Sequence, residues 1–400
     1  MPKFAHATVG SDGNLGTIES PYQTVRKLAD TLAAGDIGYC RGGTFPNIRA
    51  DNSSTTDTFW NLPNGSEVLG YSTIKAYEHE PVIFQSAPGT STMIGLKNGT
   101  AYWSFEDIEW VGLGVGGATY QTYLKRLADT NFGSHIRIVG CHMHDFRAAC
   151  VLLAGFTDCQ FTDNLMHDLG FSGQEHALYI ANAAHRTTIA RNIIHTISGF
   201  GIHHFSTAGF ANDGRYFNNR IYNYGTSGVN GAGSGILISD GNGTWVWHNI
   251  VHHGAATTSD AGIQLRWQTG ATNTVIVGNV VYRVRNAGLD LVNGSGTLAQ
   301  NNIIIENGSA INNLSGASVV TNLTSGVGTD IWVDPNTNHD FHLLAGAAGA
   351  IGQGTFHATF PIDYDGRPRP NPPDIGPYQF VGQSQRSNRR YVFYRGVIPV

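Results

Sequence analysis

Asn192-Ile-Ile-His195, Asn219-Arg-Ile-Tyr222, Asn249-Ile-Val-His252 and Asn279-Val-Val-Tyr282 are one phrase written four times: an Asn, two mostly aliphatic residues, then a ring. The phrase extends upstream to Asn164-Leu-Met-His167 and downstream to Asn302-Ile-Ile-Ile305, with steps of 28, 27, 30, 30 and 23 residues between the Asn positions. A second phrase keeps phase with it, a small residue followed by alternating apolar positions. It reads Ala177-Leu-Tyr-Ile, Gly201-Ile-His-His, Gly235-Ile-Leu-Ile, Gly262-Ile-Gln-Leu, Gly288-Leu-Asp-Leu and Ala310-Ile-Asn-Asn. Two phase-locked short strands per repeat predict a solenoid, because a strand of four or five residues buries too little alone and becomes stable only when the next coil stacks on it. Leu178, Ile202, Ile236, Ile263, Leu289 and Ile311 are expected to form one inward column. The Asn residues are expected to stack at a turn, bonding amide to amide from coil to coil.

Composition agrees with a turn-rich β protein. Of 400 residues 51 are Gly, and only 13% are charged. With 24 basic and 29 acidic side chains the net charge is −5, which leaves no electrostatic footprint for nucleic acid or an anionic membrane. No apolar run approaches a membrane span, and Met1 to His6 lacks the apolar core of a secretory leader. Cys40, Cys141, Cys150 and Cys159 have no metal-type spacing and are expected to be buried free thiols.

Pro21 to Ala34 places Val25, Leu28 and Leu32 on one face and predicts a helix that plugs the first coil. The expected organisation is an N-terminal segment with capping helix at 1–35, a β-helix at 36–345, a closing segment at 346–380 and an apolar docking tail at 381–400.

Gly10-Ser-Asp-Gly-Asn-Leu-Gly-Thr, the Ser20-Pro-Tyr that opens the helix, and Gly35-Asp-Ile-Gly-Tyr-Cys-Arg-Gly-Gly-Thr44 together resemble the N-terminal signature of pectin lyase-like β-helix proteins. Asp363-Tyr-Asp-Gly-Arg-Pro-Arg-Pro followed by Asp374-Ile-Gly-Pro-Tyr-Gln379 resembles their closing phrase, which more often ends in Glu. With the repeats, the resemblance covers about residues 8 to 380. It implies an all-β, right-handed parallel β-helix with a capping helix and a non-repeating tail. It leaves function open, because lyases, hydrolases, epimerases and phage tailspikes share the fold.

On the strand that follows each small residue, alternate positions are expected to point outward. Tyr179, His203, Gln264, Arg266 and Asp290, with Glu175 and His176 just upstream, then form a glycan-facing row. A lyase would use Arg266, with His176 or His203 as substitutes, to deal with the proton and carboxylate of a uronate. Glu175 and Asp290 lie several coils apart, so no hydrolase pair is evident. Asp240, Asp260 and Asp290 are scattered in register, so calcium is not indicated and no cofactor is expected. His144, His167, His195 and His252 share a column with Tyr222, Tyr282 and Ile305, and a shape-filling role is expected there rather than a metal.

After the closing phrase, Gly382 to Arg390 is polar and basic and Tyr391 to Val400 is apolar. An apolar terminus is expected either to fold back on its own solenoid or, through Arg389, Arg390, Tyr391, Phe393, Tyr394, Val397 and Ile398, to dock on another subunit of an oligomer. The leading expectation is a bacteriophage virion protein, in tail, fibre or capsid surface, that touches host polysaccharide. The alternatives are a polysaccharide lyase or epimerase acting on uronate polymers, extracellular if a signal peptide was removed, and a non-catalytic carbohydrate-binding protein.

Overall fold

A computed structural model of the chain describes residues 2–48, 62–78, 80–86, 93–96, 99–112, 125–126, 133–147, 149–171, 175–205, 210–227, 233–255, 261–267 and 270–382. Three long parallel sheets, of twelve, ten and seven strands among the described residues, run the length of a β-helix. The Asn phrase supplies the ten-stranded sheet and the small-residue phrase the seven-stranded one. Each coil carries a third strand that the sequence did not announce: Thr188–Ala190, Arg215–Phe217, Trp245–Trp247 and Val275–Val277 belong to the twelve-stranded sheet. Three residues are too few for alternation to register. Each is followed by a single left-handed residue, such as Arg191, Asn218 or His248, which turns the chain into the Asn phrase.

The Asn ladder holds that corner. Nδ2 of Asn164, Asn192, Asn219, Asn249, Asn279 and Asn302 each donates to Oδ1 of the next Asn along, at 2.8–3.0 Å, ending on Asn322. The same oxygens accept the backbone N–H of the preceding Asn, and the amides also donate to strand carbonyls such as Ile189 O at 2.8 Å. Backbone polar groups buried at the bend are thereby satisfied.

The aliphatic column is in register: Leu178 pairs with Ile202, then Ile236, Ile263, Leu289 and Ile311. The small residue before each has a steric cause. A Cβ on Gly262 would lie 2.2 Å from Val281 Cγ1, because the middle aliphatic of the ten-stranded sheet already fills that space.

At the N-terminus, Lys3–Ala5 forms an additional strand on Ile37–Cys40. The helix spans Val25–Asp30 rather than the expected Pro21 to Ala34. Asp12 Oδ1 accepts the N–H of Gln23 and Thr24, holding them outside the helix, and the Thr31 hydroxyl donates back to Leu28 O and ends it. Leu28 still packs over Gly38 as the plug requires. All four cysteines are buried and free.

The C-terminal segment packs on the outer face of the ten-stranded sheet. Ile331, Trp332, Phe341, Leu343, Tyr364 and Tyr378 cluster with Ile250, Val280, Tyr282 and Ile303. The closing phrase sews itself together with side chains: Asp363 accepts Arg367 N and Gln379 N, Arg369 donates to Asp374 O and Gly376 O, and Gln379 Oε1 accepts Asp374 N. Gln379 thus supplies the acceptor oxygen that the more usual Glu would offer.

Candidate functional site: a polar pocket on the seven-stranded sheet

The row read from the sequence is a true column. Leu152, Tyr179, His203, Leu237, Gln264, Asp290 and Asn312 pair in succession. It is not, however, an open solvent-facing stripe. Leu237 interrupts it, and Gln264 and Asp290 are only 0% and 3% exposed. These short polar groups bond along the column instead of projecting from it: Ser234 Oγ donates to Gln264 Oε1 at 2.9 Å, and Gln264 Nε2 donates to Asp290 Oδ2 at 2.9 Å. Asn312 Nδ2 donates to Asp290 Oδ1 at 2.8 Å, so the buried carboxylate is well satisfied.

The seven residues singled out therefore fall into two groups. Glu175, His176, Tyr179 and His203 sit at one end. There His203 stacks on Tyr179 with centroids 4.8 Å apart, and His203 Nδ1 lies 3.0 Å from His176 Nδ1. Burial lowers the His176 pKa to about 3 and pushes His203 well down, so both rings are neutral at pH 7. Gln264, Arg266 and Asp290 sit at the other end, with Asp290 three rungs from His203, roughly 14 Å at the spacing of strands. The candidates Arg266, His176 and His203 are thus not gathered into one reacting centre.

Around Asp290 lies a pocket of about 560 Å³ lined by Arg266, Arg285, Asn286, Ser309 and Asn312 among others. Arg266 Nη1 is 3.4 Å from Asp290 Oδ2, and its side chain is half exposed. The residue after it, Trp267, is 52% exposed and holds φ at +76°, a conformation a bulky side chain seldom adopts. The sequence reading missed Trp267, Arg285, Asn286, Ser309 and Asn312 as site residues. The rung of Asn312 was legible, since it occupies in Ala310-Ile-Asn-Asn the place that Asp290 takes one repeat earlier. Arg285 and Asn286 lie in a turn, where no period marks them.

Two guanidinium groups beside amide donors suit an anionic sugar, with cations for a carboxylate and amides for hydroxyls, and the exposed indole of Trp267, next to Arg266 in the chain, offers a ring face. Of the aspartates weighed for calcium, Asp240 accepts Ala211 N, Asp290 is committed to the column, and Asp260 is outside the described residues.

No family model matches the chain. It is 30% identical over 118 residues to pectate lyase PEL9 of Emericella nidulans, a stretch that spans 26% of this chain and 26% of that protein. Among solved structures, the complex of XylC with xylose superposes with TM-score 0.61 at 11% identity, covering 95% of this chain and 98% of the other. Pectate lyase Pel9A gives 0.58 at 13% identity, covering 94% and 96%. These likenesses show the fold alone, a right-handed parallel β-helix.

Proposed function

We propose that this β-helix recognises a uronate-containing polysaccharide, with the sugar carboxylate held at Arg266 and Arg285 and a pyranose ring against Trp267. The observation that carries the reading is the pairing of those two cations with Asn286, Ser309 and Asn312 around one pocket. The partial likeness to a pectate lyase points to the same polymer class. Arg266 lies 3.4 Å from Asp290, and a guanidinium offers hydrogen-bond donors and no acceptor, which suits holding a carboxylate and not removing a proton. The role that follows is binding, with cleavage as an outcome to be tested.

Titration calorimetry with an oligogalacturonide and with its methyl ester tests this. The acid should bind and the ester should bind at least tenfold more weakly; equal binding of the two, or binding of neither, refutes the reading. Ultraviolet absorbance of an unsaturated product, lost in Arg266→Ala, would extend the function to lysis.

The segment 381–400 carries a separate proposal, docking on another subunit of a virion or similar assembly. Its residues from 383 lie outside those described. Among the described residues, the closing phrase is tied as far as Phe380, whose N–H donates to Asp374 Oδ2. Deleting 381–400 should leave the fold intact and abolish assembly, as read by circular dichroism and light scattering; unchanged assembly would end that proposal.

A further inference from the structure

The stacked rings of the ten-stranded sheet lead to a second site, on a different sheet from the pocket. His144, His167, His195, Tyr222, His252 and Tyr282 pair in one column. The two ends of that column differ. The C-terminal segment covers His252 and Tyr282, which are fully buried, whereas the side chains of His144 and His167 retain 16% and 19% exposure. At the open end two further groups join. His142 lies two residues before His144 on the same strand and face, and Glu109 is the direct partner of His142 on the preceding coil.

These side chains converge. Ligand-type atoms of Glu109, His142 and His144 all lie within 4.8 Å of one another. His144 Nε2 is 3.2 Å from Glu109 Oε1, and His142 Nε2 is 2.7 Å from His167 Nε2. On the far side of each stacked ring, His144 Nδ1 is 2.8 Å from Asp145 Oδ2 and His167 Nδ1 is 2.7 Å from Asp168 Oδ2. Asp145 and Asp168 both have left-handed backbones, which returns each carboxylate to the ring before it.

A neutral imidazole has one donor and one acceptor nitrogen. Both nitrogens of His144 face carboxylate oxygens, which only accept. With Asp145 taking the Nδ1 proton, the Nε2 lone pair meets Glu109 head on and requires a cation between them: a second proton or a metal ion. Carboxylates that fix the outer nitrogens of ligating histidines are the usual support of a metal site. Two ligands at about 2.0–2.1 Å from a tetrahedral ion are about 3.3 Å apart, close to the observed separation of Nε2 and Oε1.

We propose that Glu109, His142 and His144 bind one divalent transition-metal ion, zinc by the chemistry of two imidazoles and a carboxylate, with Asp145 orienting His144. His142 exchanges its bond to His167 for the ion, and His167, held by Asp168, flanks the site.

The test uses the full chain stripped with chelator and titrated calorimetrically with zinc chloride. One equivalent should bind per chain. Affinity should fall at least tenfold in His144→Ala and in Glu109→Gln and stay unchanged in His253→Ala, which lies on the covered part of the sheet. Zinc should raise the melting temperature of the wild type and not of Glu109→Gln. If His144→Ala fails to fold, the isosteric Glu109→Gln decides alone. Absence of a stoichiometric site, or equal zinc affinity in Glu109→Gln, overturns the proposal and leaves a doubly protonated His144 as the cation.

Discussion

The ring column of the ten-stranded sheet and the mixed column of the seven-stranded sheet share one architecture and differ in how far they repeat. In the first, each ring is followed by a left-handed residue, Asp145, Asp168, Thr196, Asn223, His253 and Arg283 in turn, and the rings stack about parallel from His144 to His252. In the second, the same rung carries Tyr179, His203, Leu237, Gln264, Asp290 and Asn312 with no chemical likeness from one to the next. Repetition is the mark of groups that hold coils together. A position that keeps its register while changing its chemistry is free to be shaped by a ligand.

That contrast can be pressed from its strongest point. Asn219→Ala removes an amide that donates to Ile189 O and Asn249 and accepts from Asn192, leaving buried backbone unsatisfied. It should cost about 4 kcal/mol in urea unfolding, whereas Asn312→Ala at the edge of the pocket, which removes one bond to the Asp290 carboxylate, should cost about 2 kcal/mol. Similar losses would erase the distinction between a repeating column, represented here by the Asn ladder beside the rings, and the mixed one. Gly262→Ala forces a methyl onto Val281 and should destabilise by about 2 kcal/mol, as overpacked cores do; a neutral result would show that the two sheets can part there.

The two ends of the mixed column should also separate by pH. His176 is held neutral with a folded pKa of about 3, below the ordinary value of about 6.5. The unfolded chain therefore takes up the proton first, and the stability present above pH 6.5 declines as pH falls toward 3. His176→Gln should flatten that decline in denaturation curves between pH 7 and pH 5, and an unchanged slope would place the acid sensitivity elsewhere. The smallest effect belongs to the exposed coil-to-coil pair of Arg186 and Asp158. Arg186→Ala should cost under about 1 kcal/mol and lose even that in high salt.

The fold was legible because a solenoid writes its geometry into spacing. Residues 27 to 30 apart in the Asn phrase became hydrogen-bonded neighbours, and Leu178 through Ile311 became one column. The third strand of each coil was not legible, nor was the link to Asn322, where Leu323 follows but Thr324 and Ser325 replace the second aliphatic and the ring of the phrase. At the pocket, Gln264, Arg266 and Asp290 were found from their rung, but the burial of Gln264 and Asp290 was not. Period gives the rung on which a side chain lies; it does not say whether neighbours such as Ser234 and Asn312 draw it down onto the sheet. His176 and His203 were read on the same row, and Leu237 between them and Gln264 is the residue that parts the row in two. The site at Glu109 and His142 escaped because those residues precede the regular coils, where the repeat has no template.

In the proposed function, Arg266 and Arg285 are the anchors of an acidic sugar. Calorimetric titration of the double variant Arg266→Ala/Arg285→Ala with an oligogalacturonide, beside its melting curve, addresses this directly. Loss of more than tenfold in affinity at an unchanged melting temperature is the expected result. Wild-type affinity in the double variant would contradict the assignment of the pocket.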